Sequence, residues 1–192
     1  MRRIIIKDLE IDKLKEIKIG YSIECFLYEI IKLIIFIIVF ILFGTLKLSL
    51  IALLENNILR YSSGGFHCNN FIKCLILSSL IFTTIGYLCT IINIENNYYI
   101  FISILLIIIT IYKSPVPPPE KPINNKNKIM RLKCISTIIL ILILIIPYLF
   151  SVDNNIKSAI ILSASFQVFS LTLFGKLLFQ SWNKVLSSKG GE

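Results

Sequence analysis

The chain has 192 residues, a formal net charge of +9 and a mean hydropathy of +0.82, with 56% hydrophobic and only 16% charged residues. Soluble domains are closer to half apolar with about a quarter charged, so an ordinary water-soluble fold is excluded and an all-α, polytopic integral membrane protein is expected. The apolar excess is mostly Ile and the polar excess mostly Asn and Lys, a coding bias that lowers the information in any one of them.

Residues 1–24 are charged and precede the first long apolar run, without the pattern of a cleavable signal peptide. Ile4, Ile5, Leu9, Ile11, Leu14 and Ile17 make a loose apolar stripe among Lys, Glu and Asp. That pattern predicts an interfacial amphipathic helix on the inner leaflet; a solvated tail is the competing reading. A span needs roughly 20 mostly apolar residues, and Ile30–Leu46 is the first. Lys47–Leu59 is short and ends in Glu55, Asn56 and Asn57, so it is either a full span or a segment that dips in partway. A polar break, residues 60–74, follows. Phe71–Asn93, Tyr98–Tyr112 and Cys134–Phe150 are clear spans. Between the last two, residues 113–130 form a loop whose stretch KSPVPPPEKPINNK holds five of the six prolines. Such a run is a stiff extended connector rather than a span. Ile156–Gln180 is long but more polar, with Ser158, Ser163, Ser165, Gln167 and Ser170. Residues 1–192 thus read as one membrane-embedded domain with about six spans, or four full spans plus re-entrant or short segments.

Charge orients these spans. Residues 1–32 hold seven basic residues and residues 113–133 hold six, whereas the connection 93–97 holds none and 151–157 holds one. Lys and Arg accumulate on the cytoplasmic side. Six alternating spans then place the N-terminus, residues 55–73, residues 113–133 and the C-terminus inside, in a multi-pass cell-membrane protein. The basic segments also suit anionic lipid, and no nucleic-acid partner is expected.

The break, RYSSGGFHCNNFIKC, contains the only histidine, His67, and two of the five cysteines, Cys68 and Cys74. Gly64-Gly65 permits a sharp turn or a close approach of backbones. Asn69 or Asn70 is suited to cap the next helix. With Asn70 as cap, Cys74 lies on the first turn, where the partial positive charge of the helix start favours a thiolate. On one unbroken helix, His67 would stand about 10.5 Å from Cys74 along the axis, at about 1.5 Å per residue. Proton transfer needs about 2.6–3.2 Å, so His67 can serve Cys74 only from a loop folded back over the helix start. Competing readings remain: His67 as a polar bridge at the interface, a zinc site with Cys68 and Cys74 that lacks a fourth ligand, or Cys68 as nucleophile, which adjacency to His67 disfavours.

The run Arg60, Gly64, Gly65, His67 and Cys74, spaced R-x3-GG-x-H-x6-C, resembles the signature of the accessory gene regulator B (AgrB) family. KIGYSIECFLYEIIK, the proline-bearing loop and the length also fit, so the resemblance covers nearly the whole chain. Members are integral-membrane cysteine endopeptidases of Gram-positive quorum sensing. They remove the C-terminal part of a small propeptide and promote closure of the remainder into a thiolactone, or a lactone in the serine variant. The resemblance maps the catalytic pair onto His67 and Cys74 and implies a homodimer, a propeptide with an acidic tail, and no cofactor or metal. Arg60, Gly64 and Gly65 are the supporting candidates: Arg60 for a substrate carboxylate or an oxyanion, and Gly65 and its neighbours for backbone N–H donors. Glu55 is expected to orient His67 or to pair with Arg60 or Lys73. A different class, a component that binds or moves a peptide without cutting it, stays open. The clear spans carry almost no charge, which disfavours ion-coupled transport.

Overall fold

The computed structural model describes residues 13–66, 70–117, 123 and 125–185. Seven helices lie among them: α1 (Lys13–Leu42), α2 (Leu46–Ser63), α3 (Phe71–Ile91), α4 (Asn96–Lys113), α5 (Lys126–Leu149), α6 (Asn154–Ser170) and α7 (Leu173–Val185). The chain forms two compact units, residues up to Val39 and residues from Phe40 onward. The first consists, where described, of most of α1. Residues 13–24 continue into the first span with no break, so they are not a separate interfacial helix; residues 1–12 of that expectation lie outside the described residues.

Four helices are long and apolar enough to cross a membrane: Ile17–Leu42, Phe71–Ile91, Asn96–Lys113 and Lys126–Leu149, with a fifth if the bent pair α6–α7 counts as one. Length and composition alone therefore mark four or five of the about six expected spans. α2 carries Lys47, Glu55 and Arg60 within 18 residues, too many charges to qualify. The expected span Ile156–Gln180 is broken at Leu171–Thr172, and α7 leaves α6 at 84°.

The second unit has α2 and α6 at its centre. α2 packs against α3, α5 and α6, and α6 also touches α3, α4, α5 and α7. This position explains the polarity of α6. Ser158, Ala159, Ser163 and Ala164 are all fully buried. Small residues let helix backbones approach closely where lipid leaves no hydrophobic drive between helices. Ser163 Oγ donates to Ala52 O of α2 at 2.7 Å, and Ser158 Oγ to Ile92 O at 3.1 Å. Leu59, Tyr99, Leu106, Leu140, Leu144, Ile161, Ala164 and Val168 form the apolar cluster between α2, α4, α5 and α6. On the outside, α4 exposes Ile100, Ile104 and Ile108, and α5 exposes Ile138, Leu142 and Ile145. So broad an apolar exterior needs lipid rather than water around it.

The helices run between two ends. At one, the 44–48 and 153–156 segments line a common recess, and Ile92 meets Ser158. At the other, the end of α2, the start of α3, the segment after α4, the end of α6 and α7 converge. The polar break lies there.

Candidate active site

α2 ends at Ser63, and Gly64 N donates to Arg60 O at 3.0 Å. Gly64 and Gly65 then take φ of +69° and +127°, a region side chains rarely enter. Space demands glycine as well. A Cβ on Gly64 would collide with the Val116 carbonyl, and one on Gly65 would lie 2.6 Å from Ser170 Oγ. The turn therefore brings two distant segments against the break. Val116 N donates to Ser63 O at 2.9 Å, and Gly65 N donates to Val116 O at 3.0 Å, making a parallel bridge between Gly64 and Val116. Val116 stands between Pro115 and Pro117, so its N–H is the only main-chain donor of that tripeptide. From the other side, Gln167, 1% exposed, donates through Nε2 to Ser63 Oγ at 2.9 Å and to Gly64 O at 2.8 Å. Ser170 Oγ donates to Gln167 O at 2.7 Å.

Phe66 is fixed at both polar atoms: its N–H donates to Ser170 O at 3.3 Å, and its carbonyl accepts from Arg60 Nη2 at 2.8 Å. His67, the next residue, lies outside the described residues with Cys68 and Asn69. The chain is described again at Asn70, which caps α3 as expected: extended backbone, with its Oδ1 accepting from Ile72 N at 2.9 Å. Cys74 N donates to Asn70 O at 3.0 Å, which puts Cys74 on the first turn of α3. The thiol is free and half-buried, 3.9 Å from Ser78 Oγ. The chemistry available is that of a thiol at a capped helix start, beside a loop anchored on its upstream side.

Two expectations are corrected. The N–H groups of Gly64, Gly65 and Phe66 bind Arg60 O, Val116 O and Ser170 O, so the glycine pair has no donor left for an oxyanion. Its role is the close approach of Val116 and Ser170. Glu55 is 5% exposed, and neither carboxylate oxygen has a hydrogen-bond partner; the expected pairing with Arg60 or Lys73 does not form. Arg60 instead holds the backbone ahead of His67.

Val116, Gln167, Ser170, Lys176 and Trp182 are at the site but absent from the sequence-derived set. Gln167 and Ser170 gave a signal, because polar side chains inside an apolar stretch must find partners. Trp182 Nε1 donates to Lys73 O at 3.2 Å, and Lys176 Nζ lies 5.8 Å from the centre of the Phe66 ring. Their positions depend on the α6–α7 bend, which nothing in the local sequence announced. Lys126, Lys128 and Arg131 are exposed on the first turns of α5, which Asn125 caps.

The family model described as accessory gene regulator B matches residues 1–171. An AgrB-like protein of Clostridium beijerinckii is 30% identical over 158 residues, covering 82% of this chain and 77% of the relative. AgrB-like protein 1 of Clostridium perfringens (strain 13 / Type A) is 34% identical over 131 residues, covering 68% and 70%. The accessory gene regulator protein B of Staphylococcus aureus (strain bovine RF122 / ET3-1) is 24% identical over 136 residues, covering 71% and 72%. No solved structure matches the chain.

Proposed function

The chain belongs to the accessory gene regulator B family, and from that premise we propose that it is a membrane-embedded cysteine endopeptidase that cleaves a quorum-sensing propeptide and closes the remainder into a ring. The observation that carries this reading is the placement of Cys74 on the first turn of α3, behind the Asn70 cap. His67 takes the thiol proton, and the Cys74 thiolate attacks the scissile carbonyl. The C–N bond breaks, the imidazolium returns its proton to the leaving amine, and the acyl group stays on Cys74 as a thioester. A thiol within the bound propeptide then attacks the thioester and releases a thiolactone, while Cys74 regains its proton. Thioester exchange is close to energy-neutral, so the covalent intermediate preserves the activation that ring closure needs. Exclusion of water protects it from hydrolysis, which suits a site at the end of an apolar bundle.

The same reading makes α2 and α6 interior crossings, six in all, with the site at the cytoplasmic face. It assigns Arg60, Gly64 and Gly65 to building the loop that presents His67. The substrate is a small propeptide with an acidic tail, the bilayer supplies anionic lipid, and two copies assemble. The test is cleavage of a tagged propeptide. Cys74→Ala abolishes product while inserting normally, and Cys68→Ala and Cys89→Ala keep most activity; robust product from Cys74→Ala refutes the assignment.

A further inference from the structure

α7 begins after the residues that the family model matches, which end at Leu171. It leaves α6 at 84° and crosses the end of the bundle where the polar break lies. Gly175 makes the crossing possible, because a Cβ there would press on Phe169 O and on Ser170 Cα. Phe179, 5% exposed, seats the helix with its ring 6.5 Å from that of Phe166, which in turn stands edge-on to Phe82 of α3 at 6.3 Å.

Two polar contacts flank that anchor at three-residue spacing on either side. Lys176 Nζ lies 5.8 Å from the centre of the Phe66 ring, and Trp182 Nε1 donates to Lys73 O at 3.2 Å. Phe66 immediately precedes His67, and Lys73 immediately precedes Cys74. We propose that α7 is a clasp that sets the distance between the two halves of the catalytic pair, with Lys176 and Trp182 as positioning residues. The inference rests on the reading of His67 and Cys74 given above. Its physical basis is that reacting groups must be held to a fraction of an ångström, since a shift of about 1 Å costs on the order of a hundredfold in rate. The loop is fixed upstream by Arg60, Ser170 and Val116, and Cys74 is carried on the next helix, α3. α7 is the element that touches both at the residues next to the reacting ones. Leu173, Phe174, Leu177 and Leu178 are exposed on it, as befits a helix lying in the membrane–water interface.

The experiment uses the full chain in nanodiscs. Trp182→Phe keeps a ring and deletes the donor; Lys176→Met keeps the stem and deletes the charge. Loss of one hydrogen bond predicts roughly a fivefold fall in kcat for Trp182→Phe, and loss of the cation–ring contact roughly threefold for Lys176→Met. KM stays within about twofold in both, because a positioning role acts on the reacting pair rather than on substrate binding. A second readout needs no substrate. With Cys25, Cys68, Cys89 and Cys134 replaced by Ala, the iodoacetamide rate at Cys74 and its pH profile change in the double variant. They stay as in the parent for Leu177→Ala, an outward-facing change on the same helix. A double variant with unchanged kcat and unchanged alkylation overturns the clasp and leaves the nucleophile assignment standing. A rise in KM alone also overturns it. Cleavage by Cys74→Ala instead removes the catalytic reading, and the alkylation comparison still decides whether α7 holds the start of α3.

Discussion

Gly64 and Gly44 form a matched pair for testing why the break contains glycine. Their φ values are +69° and +67°, but a Cβ on Gly44 meets nothing within 4 Å, whereas one on Gly64 collides with the Val116 carbonyl. Gly44→Ala should therefore show only the left-handed backbone penalty, about 1–2 kcal/mol. Gly64, with ψ of −141°, lies outside the left-handed helical region, in backbone space kept almost wholly for glycine, so Gly64→Ala carries a larger backbone penalty and must also push Val116 away. That gives up the hydrogen bonds Val116 N to Ser63 O and Gly65 N to Val116 O, at about 1 kcal/mol each. The two variants should differ by at least about 2 kcal/mol, roughly 30-fold in the population of the docked loop at 1.4 kcal/mol per factor of ten. Trp182 is the only tryptophan and lies at this end, so its fluorescence on heating reports the loop's surroundings directly. The Gly64→Ala transition should come at lower temperature than that of Gly44→Ala, and its propeptide cleavage should be at least tenfold slower. Equal midpoints and equal cleavage in the two variants would sink the argument for close approach.

Three further outcomes are expected. In a cysteine-free background, an impermeant thiol reagent on intact cells should label a cysteine at Asn96 and not one at Asn125, both exposed; the reverse pattern would invert the topology. Replacing Lys126, Lys128 and Arg131 with Gln should lower kcat/KM for an acidic-tailed propeptide and flatten its salt dependence, with kcat little changed; an unaltered salt dependence would assign that charge to lipid and topology alone. Tyr99, 2% exposed, donates its OH to Leu144 O at 2.9 Å, so Tyr99→Phe should lose about 1 kcal/mol and about 2–4 °C in Tm while cleaving normally; an unchanged Tm would argue against that bond.

The elements most legible in the sequence were those set by local chemistry. Long apolar runs gave α3 and α4 to within about two residues and the end of α5, whereas α5 starts at Lys126 rather than Cys134 because Asn125 caps it inside the expected loop; Asn70 announced the start of α3 because an Asn before an apolar run caps a helix wherever the chain goes next. The glycine pair was recognised as a place of close approach, but not what approaches it. Val116 and Ser170 come from segments more than 50 residues away, and sequence reasoning instead gave the N–H groups of Gly65 and its neighbours to an oxyanion. α6 was visible as a polar apolar-length segment, yet its continuation through Leu171 hid the bend, since hydropathy alone does not distinguish a straight span from a helix that turns along the membrane surface. Glu55 was expected to orient His67 or to pair with Arg60 or Lys73; packing of α2 against three other helices buries it instead.

The central claim is that Cys74 carries the acyl group. A propeptide whose internal nucleophile is replaced by Ala cannot close a ring, so its acyl-enzyme should accumulate on the full chain in nanodiscs. Peptide mapping by mass spectrometry after a short incubation should find the N-terminal propeptide fragment attached to the peptide containing Cys74 and released by neutral hydroxylamine, as a thioester is. The adduct should be absent from Cys74→Ala and from His67→Ala. Cleaved propeptide with no adduct on Cys74, or an adduct on Cys68, would contradict the account.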